Sequence, residues 1–211
     1  MKTDKEYAEL LLSGDWATAG TDTQYKIIEE DDETIIVFAE SNSKMDWKIN
    51  FNFPKKAYKK EKQSMYVHRG FLKEWKLIRD ILLNYVEGAF YIGSVKKITV
   101  VGWSYGGAMA TLCMEDLFYS FPTLRSSLEL ITFGSPRLIG CWNFKKVKHV
   151  WENTTRYHNG SDIVACVPFL FMGFRHIKKE VHIGKKKCLF RFFNPHKNHD
   201  IVCYIDSLNK L

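Results

Sequence analysis

Gly102-Trp103-Ser104-Tyr105-Gly106 stands between a β-branched run, Lys97 to Val101 (KITVV), and a helical pattern from Gly106 to Phe121. A Gly-x-Ser-x-Gly in that setting predicts a strand-to-helix turn so tight that the serine is strained and its hydroxyl exposed. The flanking glycines leave room for the neighbouring chain. Gly107 and Ala108 allow the helix to pack closely. Further β-branched or aromatic runs lie at Thr34 to Ala39, Leu128 to Phe133, Thr155 to His158 and Glu180 to Ile183. Between them Gly70 to Val86 places Phe71, Leu72, Trp75, Ile78, Leu82 and Val86 near a 3.6-residue period. Strand alternating with helix predicts an α/β class, a mostly parallel central sheet flanked by helices. The acidic Glu29 to Glu33 run reads as a solvated turn.

A length of 211 residues without repeats or linker composition predicts one domain over 1–211. The longest uncharged apolar stretch, Ile163 to Phe174, is interrupted by Pro168 and is shorter than the roughly 20 residues of a membrane span. The net charge of +7 hides an asymmetry, since residues 1–40 carry 3 basic and 11 acidic groups. The rest of the chain is basic, but its lysines lack a nucleic-acid fold signature, so no nucleic-acid partner is expected. Cys113, Cys141, Cys166, Cys188 and Cys203 are odd in number and form no Cys-x-x-Cys pair. With an N-terminus unlike a secretory signal, they read as free thiols of a cytoplasmic protein. No metal or organic cofactor is expected, because no His/Cys/Asp cluster has ligand spacing along the chain.

A serine becomes a nucleophile when a histidine takes its proton and a carboxylate orients that histidine. Such partners follow the serine, on loops after later strands. Glu115 and Asp116 lie too far along the helix that Ser104 opens, Glu129 starts a strand at the wrong end, and Glu152 precedes one. Asp162 follows a strand through Asn159-Gly160-Ser161 and is the best placed acid, with Glu180 and Asp200 behind it. For the base, His176 and His182 fall at or in a strand, where a structural role is favoured. His196 and His199 both lie in the loop before the final apolar segment, and spacing does not choose between them.

The chain resembles the fungal triacylglycerol lipases, or class 3 lipases, of the α/β-hydrolase fold, over about residues 34–207. Gly102 to Ala108 (GWSYGGA) looks like the family's GHSLGGA elbow, and Val67 to Phe71 (VHRGF) like its VHxGF helix opening. Ile131 to Gly140 resembles YTFGxPRVG, and Asn159 to Pro168 resembles N-x-x-D-x-V-x-x-x-P. His199 to Tyr204 resembles the closing H-(D/N)-L-x-x-Y, which favours His199 over His196. The resemblance implies hydrolysis of lipid carboxylic esters, acylglycerol or phospholipid, by Ser104, Asp162 and His199 through an acyl-enzyme. It implies an oxyanion hole from Ser41 and the Tyr105 N–H, and a lid at residues 42–53.

Two departures stand out. The family's FRG-Ser/Thr is Phe38-Ala39-Glu40-Ser41 here, and Trp103 replaces the usual histidine. The first leaves an alternative, a catalytically inactive α/β-hydrolase-fold module that binds lipid or protein. Trp47 to Phe53, the apolar run near Asp162, and Lys55, Lys56, Lys59, Lys60 and Lys62 together suggest peripheral contact with an anionic membrane surface.

Overall fold

The computed structural model describes residues 2–12, 14–21, 23–31, 33–39, 55–59, 64–141, 152–178, 180–185 and 198–211. Ser41, the 42–53 segment, Lys60, Lys62, Cys188 and His196 lie outside them. In chain order the elements are α1 (Asp4–Glu9), β1 (Ala17–Ala19), β2 (Thr23–Glu29), β3 (Thr34–Phe38), β4 (Lys55–Lys59) and β5 (Ser64–His68). The long α2 (Arg69–Tyr91) leads to β6 (Ile98–Trp103), α3 (Tyr105–Ser120), β7 (Leu128–Phe133), β8 (Ile139–Gly140) and β9 (Thr154–Asn159). β10 (Phe174–Arg175), β11 (Val181–Ile183) and α4 (Ile201–Leu208) follow.

The main sheet runs β1-β2-β3-β6-β7-β9-β11; it is antiparallel from β1 to β3 and parallel from β3 to β11. This is the mostly parallel, helix-flanked sheet expected from the sequence. Both faces are buried, as a parallel sheet requires, and the strands alternate between them. Ile36, Phe38, Val100 and Leu130 pack against Trp75, Ile78 and Leu82 of α2 and Leu112 of α3. Ile35, Val37, Val101 and Ile131 face the other way, toward Tyr7 of α1 and Tyr204 and Ile205 of α4. Every apolar position predicted for α2 is buried. The His68 ring starts that helix, its Nδ1 accepting from the Gly70 N–H at 3.1 Å.

Three sequence expectations change. β2 and a second, antiparallel sheet, β10-β8-β5-β4, carry too little apolar alternation to be read from sequence. Lys55 and Lys56, expected beside a flap, stand on a strand of that sheet whose Tyr58 is buried. Glu33, expected in a solvated turn, is 8% exposed. It accepts hydrogen bonds from Tyr7 at 2.7 Å and from Thr99, and pairs with Lys97 at 2.9 Å. A carboxylate buried beside a strand end needs such donors, because losing water without them is costly.

Asp116 of α3, 1% exposed, is a buried polar tie between layers. It accepts from Tyr58 Oη at 2.5 Å, Trp75 Nε1 at 2.7 Å and Arg79 Nε at 2.9 Å, joining β4, α2 and α3. Asp116→Ala leaves the buried Tyr58 and Trp75 donors without their acceptor, at about 1 to 3 kcal/mol for a buried donor left unsatisfied. Urea denaturation is expected to show that loss as a lower midpoint, whereas Asp80→Ala, on the exposed side of Arg79, leaves the midpoint within experimental error.

Candidate active site

Ser104 sits between β6 and α3 at φ 57°, ψ −125°, and is the one non-glycine residue at positive φ among those described. Such a conformation persists only where the surroundings over-determine it, and the glycines around it show how. A Cβ on Gly102 would strike the Gly106 carbonyl, and one on Gly106 would strike the carbonyls of Phe38 and Ala39 at the end of β3. One on Gly107 would come within 2.6 Å of Ser135 Cβ. The Ser104 N–H donates to the Phe133 carbonyl of β7 at 3.0 Å. The turn is thus clamped by the strands on either side of β6.

His199, just before α4, lies with Nε2 2.7 Å from Ser104 Oγ and Nδ1 2.9 Å from Asp162 Oδ2. Ser104 and Asp162 are fully buried and His199 nearly so. Asp162 also accepts from the Val164 N–H at 2.8 Å and the Tyr204 hydroxyl at 2.5 Å. Burial, then the neighbouring Asp162 charge, pushes the Tyr204 hydroxyl well above its usual range, so it remains a donor. The arrangement lets Ser104 pass its proton to an imidazole whose other nitrogen is held by a carboxylate.

The structure therefore brings Ser104, Asp162 and His199 together. The other candidates are engaged elsewhere. His176 Nε2 faces the Ala165 carbonyl at 2.6 Å, and burial, reinforced by Arg156, pushes this ring down to about 3. His182 lies beside Glu180 and His158. Asp200 caps α4 by accepting from the Val202 N–H at 2.9 Å. Glu180 bonds His158 Nδ1 at 2.9 Å and Arg156 Nη2 at 3.2 Å. Burial would raise this carboxyl, but those two partners outweigh it and hold it at about 2.

Of the expected oxyanion donors, Ser41 falls outside the described residues. The Tyr105 amide opens α3, where the helix dipole favours negative charge. The Tyr105 side chain points away into the core, its hydroxyl 2.9 Å from Thr23 Oγ1.

Sequence reasoning missed three supporting residues. Tyr204 was part of a recognised motif without a role, and it is the second side-chain donor to Asp162. Gly134, at φ 58°, leaves the space in which the acid and base meet; a Cβ there would lie 2.7 Å from Asp162 Oδ2 and 3.0 Å from His199 Cε1. Trp103 donates its indole N–H to the His199 carbonyl at 2.8 Å, so the substitution at this motif position fixes the backbone of the base. Only the fold places these groups beside the triad, since their partners are distant in sequence.

Comparison with known proteins fits this geometry. The family described as "Lipase (class 3)" matches residues 35–172. A lipase of Rhizomucor miehei is 32% identical over 178 residues, 83% of this chain and 49% of the relative. The secreted mono- and diacylglycerol lipase A of Penicillium cyclopium is 32% identical over 115 residues, 54% of this chain and 36% of its own. A solved structure of Rhizomucor miehei triacylglyceride lipase superposes with a TM-score of 0.69 at 27% identity, covering 80% of this chain and 66% of that one. The chain thus spans about half or less of the length of the relatives matched by sequence.

The cytoplasmic expectation is overturned, because relatives from Penicillium and Fusarium are named secreted lipases. Unpaired cysteines and the first residues of a chain that spans part of its relatives were too weak a basis for it. No helix among the described residues is long and apolar enough to cross a membrane. With a family match across most of the chain and a serine, histidine and carboxylate in hydrogen-bonded sequence at the elbow, the chain belongs to the class 3 lipase family.

Proposed function

We propose that this chain is a serine hydrolase of lipid carboxylic esters, acylglycerols or phospholipids, with Ser104, His199 and Asp162 as its triad. The observation that carries the reading is the unbroken chain Ser104 Oγ to His199 Nε2 to Asp162, at 2.7 and 2.9 Å. Ser104 Oγ attacks the ester carbonyl as His199 Nε2 takes its proton. The carbonyl oxygen becomes an oxyanion, held by the Tyr105 N–H and by Ser41. His199 returns the proton to the departing alcohol, leaving an acyl group on Ser104. It then deprotonates a water that attacks the acyl carbon, and protonates Ser104 as the acid leaves. Asp162 keeps the His199 tautomer and stabilises its cation, and the Tyr204 hydroxyl and Val164 amide donate to Asp162 and hold it in place.

Docking on an anionic lipid surface belongs to the same proposal. Phe169, Leu170 and Phe171 follow the Asp162 loop, and the last two are 59% and 86% exposed. Beside them Lys55 lies over the Phe174 ring at 5.2 Å, next to the exposed Lys56 and Arg175. Apolar side chains inserting beside lysines, each adding about 1 kcal/mol near an anionic surface, supply both terms that interfacial binding needs.

Ser104→Ala is expected to lower p-nitrophenyl ester hydrolysis on the order of a million-fold, and His199→Ala comparably, because the triad acts as one unit. His176→Ala should stay within a few-fold of wild type. A folded Ser104→Ala protein with a tenth of normal turnover would refute the assignment. Tyr204→Phe removes a hydrogen bond to a charged acceptor, so kcat is expected to fall about tenfold with KM little changed; steady-state kinetics on a soluble ester checks it. Finally, Ser104→Ala protein should co-sediment with phosphatidylserine-containing vesicles at low salt and release as salt rises. Adding Leu170→Ser and Phe171→Ser should abolish that binding, and equal sedimentation of the two proteins would remove the docking surface from the proposal.

A further inference from the structure

Behind the Asp162 loop, two strands remote in sequence bring a second group of side chains together. His158 of β9 and His182 of β11 are register partners in the parallel ladder, and their rings lie 5.2 Å apart. Glu180, just before β11, completes a triangle: one ligand atom from each residue lies within 4.8 Å of the others. Glu180 Oε1 is 3.8 Å from His182 Nδ1. That is too long for a hydrogen bond. It suits two ligands of one ion, since bonds of about 2.1 Å set neighbouring ligand atoms roughly 3 to 4 Å apart.

The His158 ring is oriented for the same purpose. Its Nε2 lies 3.0 Å from the Asp162 backbone carbonyl, which can only accept, so Nε2 carries a hydrogen. With Nε2 engaged there, Nδ1 is the ring atom left to face Glu180 Oε2, 2.9 Å away. An imidazole nitrogen and a carboxylate oxygen at this separation can share either a proton or a metal ion. A histidine whose outer N–H is held by a backbone carbonyl is the arrangement metal-bound histidines show. Glu180 and His182 are part-exposed, which leaves the ion a path from solvent. Arg156 is the opposing charge, bonded to Glu180 Oε2 at 3.2 Å, while Oε1 is the oxygen nearer His182.

We infer that His158, Glu180 and His182 form a divalent transition-metal site, for Zn2+, with a fourth position open to water. Two imidazoles and one carboxylate are a recurrent three-ligand set for this ion. The site is separate from the Ser104–His199 pair and, among the described residues, meets the proposed triad through the Asp162 main chain. Its existence does not depend on the proposed ester chemistry.

Calorimetric titration of the whole purified protein with Zn2+ tests the site. One equivalent is expected to bind saturably, and His182→Ala and Glu180→Gln each should weaken binding at least about tenfold, the loss that even an outer partner's removal causes. Co2+ separates this site from the thiols: bound here it should show d–d absorption without the near-ultraviolet thiolate band of cysteine ligation. His182 stands on the edge strand, away from the proposed triad, and circular dichroism verifies that the variant folds; His182→Gln replaces it if it does not. Absence of saturable binding, unchanged affinity in both variants, or a thiolate band in the Co2+ spectrum would overturn the assignment.

Discussion

The architecture depends on one contact, the Gly106 backbone pressed against the Phe38 and Ala39 carbonyls at the end of β3. It lets α3 begin directly at the sheet edge, and it holds Ser104 in a backbone conformation that an L-residue leaves unless its neighbours forbid the alternatives. The strain is local, whereas the restraint is spread over three strands. β3 blocks one side, β7 takes the Ser104 amide, and β6 delivers the chain between them. The buried ties elsewhere keep those strands and helices in register. Asp116 gathers β4, α2 and α3 on one face, and Glu33 joins Tyr7 of α1 to Thr99 of β6 on the other.

Much of this could be read from the residues. The central strands β3, β6 and β7 are β-branched runs with both faces apolar, and α2 carries an undisturbed helical period, so local pattern and tertiary burial agree there. The nucleophile turn was legible for a different reason: its steric demands are met within a few consecutive residues. Asp162 could be chosen by elimination, but His199 could not be told from His196 without the resemblance, because a base on a loop leaves no periodic trace.

What stayed hidden involves partners that only the fold joins. β4 reads as a basic loop because Lys55 and Lys56 are exposed, while Tyr58 is buried. Glu33 looks like one more member of an acidic run until Tyr7, Thr99 and Lys97 close around it. Trp103, Gly134 and Tyr204 share this character, each serving the acid–base pair across the sheet rather than along the chain. The compartment was misjudged because an odd number of cysteines scattered along the chain says little about where it resides.

α4 carries more than a terminal apolar face. His199 precedes it and Tyr204 stands on it, so base and acid clamp travel with the same helix, while Ser104 belongs to the sheet. Any sliding of α4 would carry His199 and Tyr204 together against Asp162, which is held on the loop after β9, and against Ser104. Against that sliding stands α1, whose Tyr7 and Ala8, with Leu11 just after it, share one apolar cluster with Ile201 and Ile205 and whose first turn is closed by Thr3 and Glu6. The short N-terminal helix thereby acts as a buttress for the spacing between the two halves of the proposed proton-transfer path.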